Sequence, residues 1–228
     1  MTNESQPSPA LLLAYLIPAA AYLLLIPQLP FPGDFALKAS PILLLALTAW
    51  RTLTGSSQRW LTLALILSAC GDISLSFSGE TYFLAGLSCF LLAHLCYIIT
   101  IRRHSRWQKR HWPIALLLIG LTSVMVALLI PKLGPLLLPV LIYILVILTM
   151  ALTATGWQGQ HRNLLLGGAI IFMLSDSMIA INRFVLPLSW AKHFIMLTYY
   201  LGQLLLAWAL LADLSTSKQE RDWEGVSN

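Results

Sequence analysis

Two stretches of the sequence, LSACGDISL (residues 67–75) and FMLSDSMIA (residues 172–180), each place one acidic residue inside a long apolar run. The acidic residues are Asp72 and Asp176, and each run is long enough to cross a bilayer. A charged side chain at mid-depth costs about 3 kcal/mol even on a lenient insertion scale, so it normally faces a protein interior or a wet cavity. We therefore expect the fold to bring this aspartate dyad into one cavity.

The composition is that of a membrane protein. The 228 residues are 58% hydrophobic and only 10% charged, with a mean hydropathy of +0.78, whereas a soluble domain carries about 25% charged residues. The formal net charge of +5 does not indicate nucleic-acid binding, because cytoplasmic loops of membrane proteins collect Lys and Arg. We predict an integral protein of the bacterial inner (cytoplasmic) membrane.

Hydropathy predicts an all-α fold, a polytopic bundle of about eight transmembrane helices. The eight apolar segments are residues 10–27, 35–50, 60–78, 82–101, 112–130, 135–155, 164–182 and 190–212. They make one domain, 10–212, between a short N-terminal tail (1–9) and a polar C-terminal tail (213–228). The N-terminal tail has no Lys or Arg, so the first segment is predicted to stay in place as a helix rather than act as a cleaved signal peptide. The second segment is short and contains Pro41, so a re-entrant segment is an alternative there.

Loop charges predict the orientation. With eight spans, the two ends of the chain and alternate loops share one side, and that side collects ten basic residues against four on the other. The ten are Arg51, Arg59, Arg102, Arg103, Arg106, Lys109, Arg110, Arg162, Lys218 and Arg221, and the four are Lys38, Lys132, Arg183 and Lys192. Because cytoplasmic loops are the richer in Lys and Arg, both termini are predicted to be cytoplasmic.

The positions of the two acids suggest an internal repeat. Asp72 and Asp176 each fall about a dozen residues into their segments, at similar depth slightly past the midplane. Each acid-bearing segment is followed through a short loop by a partner with polar aromatic residues. This pattern is consistent with a 4+4 pseudo-repeat, a plan known among transporters.

Polar residues accompany each acid on one helical face. Ser68, Asp72 and Ser76 are spaced four residues apart, and Asp176 shares a face with Arg183, with Asn182 beside it. A polar stripe in an apolar helix turns away from lipid, where unsatisfied polar groups cost several kcal/mol. Two such stripes predict a shared polar cavity, and the alternative is that each aspartate only ties neighbouring helices together.

Further polar residues are candidates for binding a substrate. His94 is either a structural hydrogen-bonding residue or a functional one, and Lys38 is either a partner of a carboxylate or phosphate or a lysine that reaches the interface. The full predicted substrate-binding set is Lys38, Ser76, His94, Tyr97, Ser175, Asn182, Arg183, Tyr199, Tyr200 and Gln203. The sequence shows no metal-binding motif, no Gly-rich phosphate loop and no nucleophile elbow, so we predict no metal and no cofactor.

Two carboxyls in an apolar pocket that admits some water are suited to acid–base chemistry. Burial and mutual repulsion favour one protonated and one ionised carboxyl, so one can act as a general acid while the other acts as a base. Which aspartate has which role stays open at this point. The same pair suits either hydrolysis of a lipid-borne bond or the carriage of protons.

Short motifs in order along the chain resemble the YhhN-like, or lysoplasmalogenase, family of membrane proteins. The matching stretches are KASP (38–41), Gly71-Asp72, Gly86-Leu87 with His94 and Tyr97, Phe172 with Ser175-Asp176 and Ile179-Ala180, and Tyr199-Tyr200 with Gln203. The resemblance implies hydrolysis of the vinyl-ether bond of lysoplasmalogens to a fatty aldehyde and glycerophosphoethanolamine or glycerophosphocholine. It implies a lysophospholipid substrate and membrane lipids as partners, and we expect no nucleic acid and no obligate protein partner.

Two rival classes use the same acids. A proton-coupled lipid or solute carrier is the main alternative, because the possible repeat favours it. An intramembrane aspartyl protease also has one aspartate on each of two helices. Such proteases carry Gly-x-Gly-Asp at the second site, whereas here Ala69 stands at the first glycine position before Asp72, and Asp176 follows Ser175.

Overall fold

The computed structural model describes the backbone of residues 9–226 and the side chains of residues 10–215, and in this part of the chain the fold is almost entirely helical. Eight α-helices are present: α1 (Pro9–Leu25), α2 (Asp34–Thr52), α3 (Gly55–Ser74), α4 (Glu80–Arg102), α5 (Trp112–Leu133), α6 (Leu137–Thr155), α7 (Arg162–Ala180) and α8 (Ala191–Val226). The predicted N-terminal tail lies outside the described residues except for Pro9, where α1 begins. Helix α8 continues beyond residue 212, where hydropathy placed its end.

Five helical segments are long and apolar enough to cross a membrane: Ala10–Gln28, Glu80–Arg102, Lys109–Thr155, Arg162–Val185 and Ala191–Ser215. Many leucines are exposed on their outer faces, among them Leu24 and Leu138, which are 78% and 69% exposed. Exposed apolar side chains in such numbers indicate contact with lipid rather than with water. The chain is therefore an integral membrane protein. Helices α2 and α3 are less apolar, and they carry Lys38 and Asp72.

Counted as continuous helical segments, the described chain has seven rather than the predicted eight. The difference lies at α5 and α6, because the only residues between them form a 3-10 turn, Gly134–Leu136, and the two helices therefore count as one helical segment. The two helices nevertheless pack against each other, because the chain reverses at Gly134, where φ is +50°. Only glycine adopts this left-handed conformation readily.

The helices form a closed arrangement with α5 at its edge. Neighbouring contacts run from α1 through α2, α3, α4, α6, α7 and α8, and α8 returns to α1 and α2. Helix α5 packs mainly on α6 and on the π-helical turn Ile181–Val185 that follows α7. The strongest packing is within the α3–α4 and α7–α8 pairs, and the 4+4 pseudo-repeat itself stays a prediction.

Close approach at glycine fixes the two helix pairs that carry the acids. A Cβ on Gly71 would lie 2.6 Å from the Phe90 ring, and one on Gly168 would lie 2.8 Å from the backbone nitrogen of Leu206. Both distances are shorter than real carbon contacts, so glycine is required there. Gly71 directly precedes Asp72, and the tight α3–α4 contact therefore determines where this carboxyl points.

Candidate functional site

Asp72 is held in a dense polar cluster at the end of α3. The residue is 2% exposed, and its Oδ2 accepts a hydrogen bond from the hydroxyl of Tyr199 at 2.6 Å. The Nζ of Lys38 lies 3.6 Å from its Oδ1 and donates to the Asp72 backbone carbonyl at 3.0 Å. The hydroxyl of Ser76 donates to the same carbonyl at 3.0 Å. Both oxygens of the carboxyl thus face a cation or a donor.

A chain of tyrosines supports Lys38 from behind. The Tyr200 hydroxyl donates to the Lys38 carbonyl at 2.9 Å, and the Tyr15 hydroxyl donates to the Tyr200 carbonyl at 2.7 Å. These bonds tie α1, α2 and α8 together around the pair of Lys38 and Asp72. They fix the backbone that carries Lys38 and so hold its side chain next to Asp72.

Asp176 has very different surroundings on α7. Its Oδ2 accepts a hydrogen bond from the Tyr143 hydroxyl of α6, and no cation forms an ion pair with it among the described residues. The residue is only partly buried because one side of it lines a cavity.

The cavity beside Asp176 is apolar and has a volume of about 400 Å³. It lies between α4, α5, α6 and α7, and Leu87, Met125, Ile144 and Met173 are typical of its walls. Asp176 is the one acidic residue in its lining. This apolar cavity has the character of a site for a hydrocarbon chain.

A second, polar cavity of about 420 Å³ lies at the end of the bundle where α3 and α7 finish. Its charged lining residues are Asp34, Lys38, Arg183 and Lys192. The two cavities share three lining residues, Leu75, Phe83 and Ile179, so they adjoin. Ile179 lies one helical turn from Asp176, on the same side of α7, and the carboxyl is therefore close to the junction.

The prediction of one polar cavity holding both acids is wrong in two respects. The cavity beside Asp176 is apolar, and Asp72 lines neither cavity, because its partners Lys38 and Tyr199 enclose it. Both acids lie in the last two turns of their α-helices, nearer the helix ends than predicted, because α3 ends at Ser74 and α7 ends at Ala180.

The predicted substrate-binding residues divide into two groups. Lys38, Ser76, Asn182 and Arg183 line the polar cavity. The others, His94, Tyr97, Ser175, Tyr199, Tyr200 and Gln203, are buried and line neither cavity.

Most of the buried group serve as ties between helices. Tyr97 donates to the Gln203 side-chain oxygen at 2.7 Å, and Ser175 donates to the Ile195 carbonyl at 3.0 Å. The ring of His94 packs edge-on against Phe172, with the ring centres 4.8 Å apart.

Tyr143 is the functional candidate that the sequence reasoning missed. It is the direct partner of Asp176 and lines the apolar cavity. A signal was available, because Tyr143 is a lone hydroxyl in the apolar run LIYIL (141–145), and a buried tyrosine hydroxyl usually has a polar partner. Asp34 and Lys192 were also not selected, since near helix ends they resemble ordinary interface residues.

Comparison with known proteins places the chain in a family. The model of the YhhN family matches residues 33–210. The chain belongs to the YhhN family. This confirms the resemblance seen in the short motifs, and the match includes both aspartates.

Several curated relatives carry a functional name. A protein of Mycobacterium bovis named "Lysoplasmalogenase" is 37% identical over 156 residues, which are 66% of this chain and 60% of the relative. "Lysoplasmalogenase TMEM86B" of Rattus norvegicus is 34% identical over 180 residues, 76% of this chain and 71% of the relative, and the Homo sapiens protein of that name is 32% identical over 180 residues, 76% and 74%. The match thus spans about 60% of the length of the mycobacterial relative. No solved structure matches the chain.

Proposed function

We propose that this protein hydrolyses the vinyl-ether bond of lysoplasmalogens and releases a fatty aldehyde and a glycerophosphoethanolamine or glycerophosphocholine. The observation that carries the proposal is the adjoining pair of cavities, one apolar and one lined by charged groups, with Asp176 near their junction. A lysolipid has the same division into an apolar chain and a polar head group, and its vinyl-ether bond lies between the two. The names of the family relatives point to the same substrate class.

The proposed reaction begins with a proton transfer from Asp176. An enol ether is cleaved by protonation of its β-carbon, and the carboxyl in the apolar wall is the group within reach of the chain. The Tyr143 hydroxyl orients this carboxyl through its hydrogen bond to Oδ2. A positioned acid of this kind contributes about 10²–10⁴-fold to a rate.

The oxocarbenium ion that follows needs negative charge nearby. In our proposal the carboxylate that the proton transfer leaves on Asp176 supplies it from the cavity wall. The ionised Asp72, kept in that state by Lys38 and the Tyr199 hydroxyl, adds to it from behind the wall. Preorganised charge in a site that excludes bulk water stabilises such a cation without further rearrangement.

Water completes the reaction. It adds to the carbon bonded to oxygen and gives its proton to Asp176, which is thereby restored. The hemiacetal then collapses to the aldehyde and the glycerol hydroxyl. No covalent nucleophile is required.

The test uses purified protein in detergent with lysoplasmenyl-ethanolamine, and a hydrazine traps the aldehyde. We expect aldehyde from the vinyl ether and none from the matched saturated ether. In heavy water the aldehyde should carry one deuterium on the carbon next to the carbonyl. Fatty acid released from the 1-acyl lipid, with the vinyl ether untouched, would overturn the proposal.

The proton-coupled carrier gains no support from the comparisons, since the relatives named above are lysoplasmalogenases. Uptake into proteoliposomes without an aldehyde product would restore it.

We also infer that both ends of the chain face the cytoplasm of a bacterium and that the polar cavity opens toward the other side of the inner membrane. The α2–α3, α4–α5 and α6–α7 connections and the helix ends beside them carry eight of the basic residues named above, and the end with the polar cavity carries four. Cysteines placed in the α4–α5 and α7–α8 connections should react with an impermeant reagent from opposite sides.

A further inference from the structure

The polar cavity contains charged side chains of both signs that form no ion pair with another described residue. Asp34, Arg183 and Lys192 line it, and none of them forms an ion pair with another described residue. Lys38 differs, because it is paired with Asp72. Arg183 and Lys192 are exposed and Asp34 is partly buried, so the charged groups are accessible to a ligand that enters the cavity.

The guanidinium of Arg183 is held in place without using its donors. It lies 3.8 Å from the centre of the Phe83 ring, and Phe83 is one of the residues shared by the two cavities. Stacking on the ring face leaves the N–H groups at the edge of the guanidinium free, and these groups match two oxygens of a phosphate. The side chain is exposed, as a head-group site at the membrane surface requires.

The signs of the charges select the kind of ligand. Arg183 and Lys192 offer two cationic groups to a phosphate, and Asp34 offers a carboxylate to a cationic group. A phosphodiester that ends in an ammonium carries both kinds of charge. A phosphate without the ammonium would leave Asp34 without a partner on the ligand.

The size and position of the cavity agree with this ligand. Its volume of about 420 Å³ lies within the ~300–1,000 Å³ typical of small-molecule sites. It adjoins the apolar cavity through Leu75, Phe83 and Ile179. One amphiphile can therefore occupy both cavities.

We propose that the polar cavity is a head-group site for a phosphodiester that ends in an ammonium group, with Arg183 and Lys192 binding the phosphate and Asp34 binding the ammonium. The inference rests on the proposed function for the identity of the apolar tail. It adds Asp34 and Lys192 to the residues that select the substrate.

The test is equilibrium binding to the full chain in detergent, measured by calorimetry with saturated ether lipids, which contain no vinyl ether to cleave. Three lipids with the same tail are compared: 1-alkyl-glycerophosphoethanolamine, the matching glycerophosphomethanol lipid and 1-alkylglycerol. The variants are Arg183→Gln, Lys192→Gln and Asp34→Asn. Lys132→Gln is the matched control, because Lys132 is a cation at the same end of the bundle that lines neither cavity.

We expect Arg183→Gln and Lys192→Gln each to weaken binding of both phospholipids about tenfold, the loss expected for one charge-assisted contact. Asp34→Asn should weaken binding of the phosphoethanolamine lipid only. None of the variants should change binding of 1-alkylglycerol, which also shows that the variants are folded, and Lys132→Gln should change nothing.

Equal effects of Asp34→Asn on the two phospholipids would overturn the proposal, and so would a loss of alkylglycerol binding in all three variants. Free glycerophosphoethanolamine is tested as a competitor. Displacement that Asp34→Asn abolishes assigns the site to the released product as well as to the lipid, and absence of displacement assigns it to the lipid-borne head group alone. Because none of these lipids is hydrolysed, the result stands apart from the aldehyde test.

Discussion

The two aspartates occupy corresponding places near the ends of α3 and α7, yet their surroundings are opposite. Asp72 is enclosed by a lysine and a tyrosine hydroxyl and borders no cavity. Asp176 has a single hydrogen bond from Tyr143 and forms part of the wall of an apolar cavity. The comparison indicates how one residue type can fill two roles: a carboxyl surrounded by donors is stabilised as an anion, and a carboxyl in an apolar wall retains its proton and is available to transfer it.

The largest effect is expected from removal of the proton donor. Asp176→Asn should lower aldehyde release by about 10²–10⁴-fold, because the amide cannot transfer the proton. The thermal midpoint in detergent should change little, since the amide still accepts the bond from Tyr143. Ser177→Ala, at the neighbouring position in the same cavity wall, is the control and should keep its activity. An Asp176→Asn protein with wild-type turnover would remove this residue from the mechanism.

Removal of Asp72 should act on stability as well as on rate. Asp72→Asn leaves Lys38 buried without a counter-charge, and breaking a buried pair in this way costs about 3–5 kcal/mol of unfolding free energy. The measurement is chemical or thermal denaturation in detergent, alongside aldehyde release.

A second substitution separates the two effects of Asp72. Asp72→Asn combined with Lys38→Met removes both charges, and it should recover most of the stability but not the activity, because the negative charge is still missing. Full recovery of activity in the double variant would mean that Asp72 serves only to hold Lys38.

The hydroxyls that contact the two acids offer a matched pair of smaller changes. Tyr143→Phe should lower turnover about tenfold through loss of the bond that orients Asp176, with little change in KM. Tyr199→Phe removes the equivalent bond to Asp72 and should lower the thermal midpoint more than Tyr143→Phe does. Equal effects on turnover and stability from the two variants would contradict the difference between the two sites.

The smallest effect is expected from narrowing the apolar cavity. Met125→Trp places a larger side chain in its wall and should lower activity on long-chain substrates severalfold while sparing shorter chains. Leu116→Trp adds the same bulk on α5 at an exposed position that does not line the cavity, and it should leave the chain-length preference unchanged. If both variants changed the chain-length preference to the same extent, the hydrocarbon chain would have to bind outside the apolar cavity.

Much of this fold follows from hydropathy, and the exceptions have local causes. Acidic residues inside apolar runs indicated Asp72 and Asp176 correctly as buried or cavity-lining groups. The continuous helical segment through α5 and α6 depends on the left-handed Gly134, which a hydropathy window does not detect. The end of α8 was also not predicted, because its last turns are polar and a hydropathy window ends the segment at residue 212.

The site was harder to predict, because its character depends on which helices are neighbours. Sequence spacing placed Ser68, Asp72 and Ser76 on one face. It could not show that Lys38 and Tyr199 contact the Asp72 carboxyl and separate it from both cavities. The selection of Tyr97 and Gln203 failed to identify cavity residues for a similar reason: the Tyr97 hydroxyl donates to the Gln203 side-chain oxygen across two helices. Tyr143 was missed because its importance comes only from its contact with α7.

The most direct test of this account is the infrared carbonyl band of a protonated carboxyl, recorded in detergent near neutral pH. The band should be present in the wild type and in the Asp72→Asn/Lys38→Met variant, and it should disappear in Asp176→Asn. Loss of the band in the Asp72 variant, together with its survival in Asp176→Asn, would reverse the two roles and contradict the proposed mechanism.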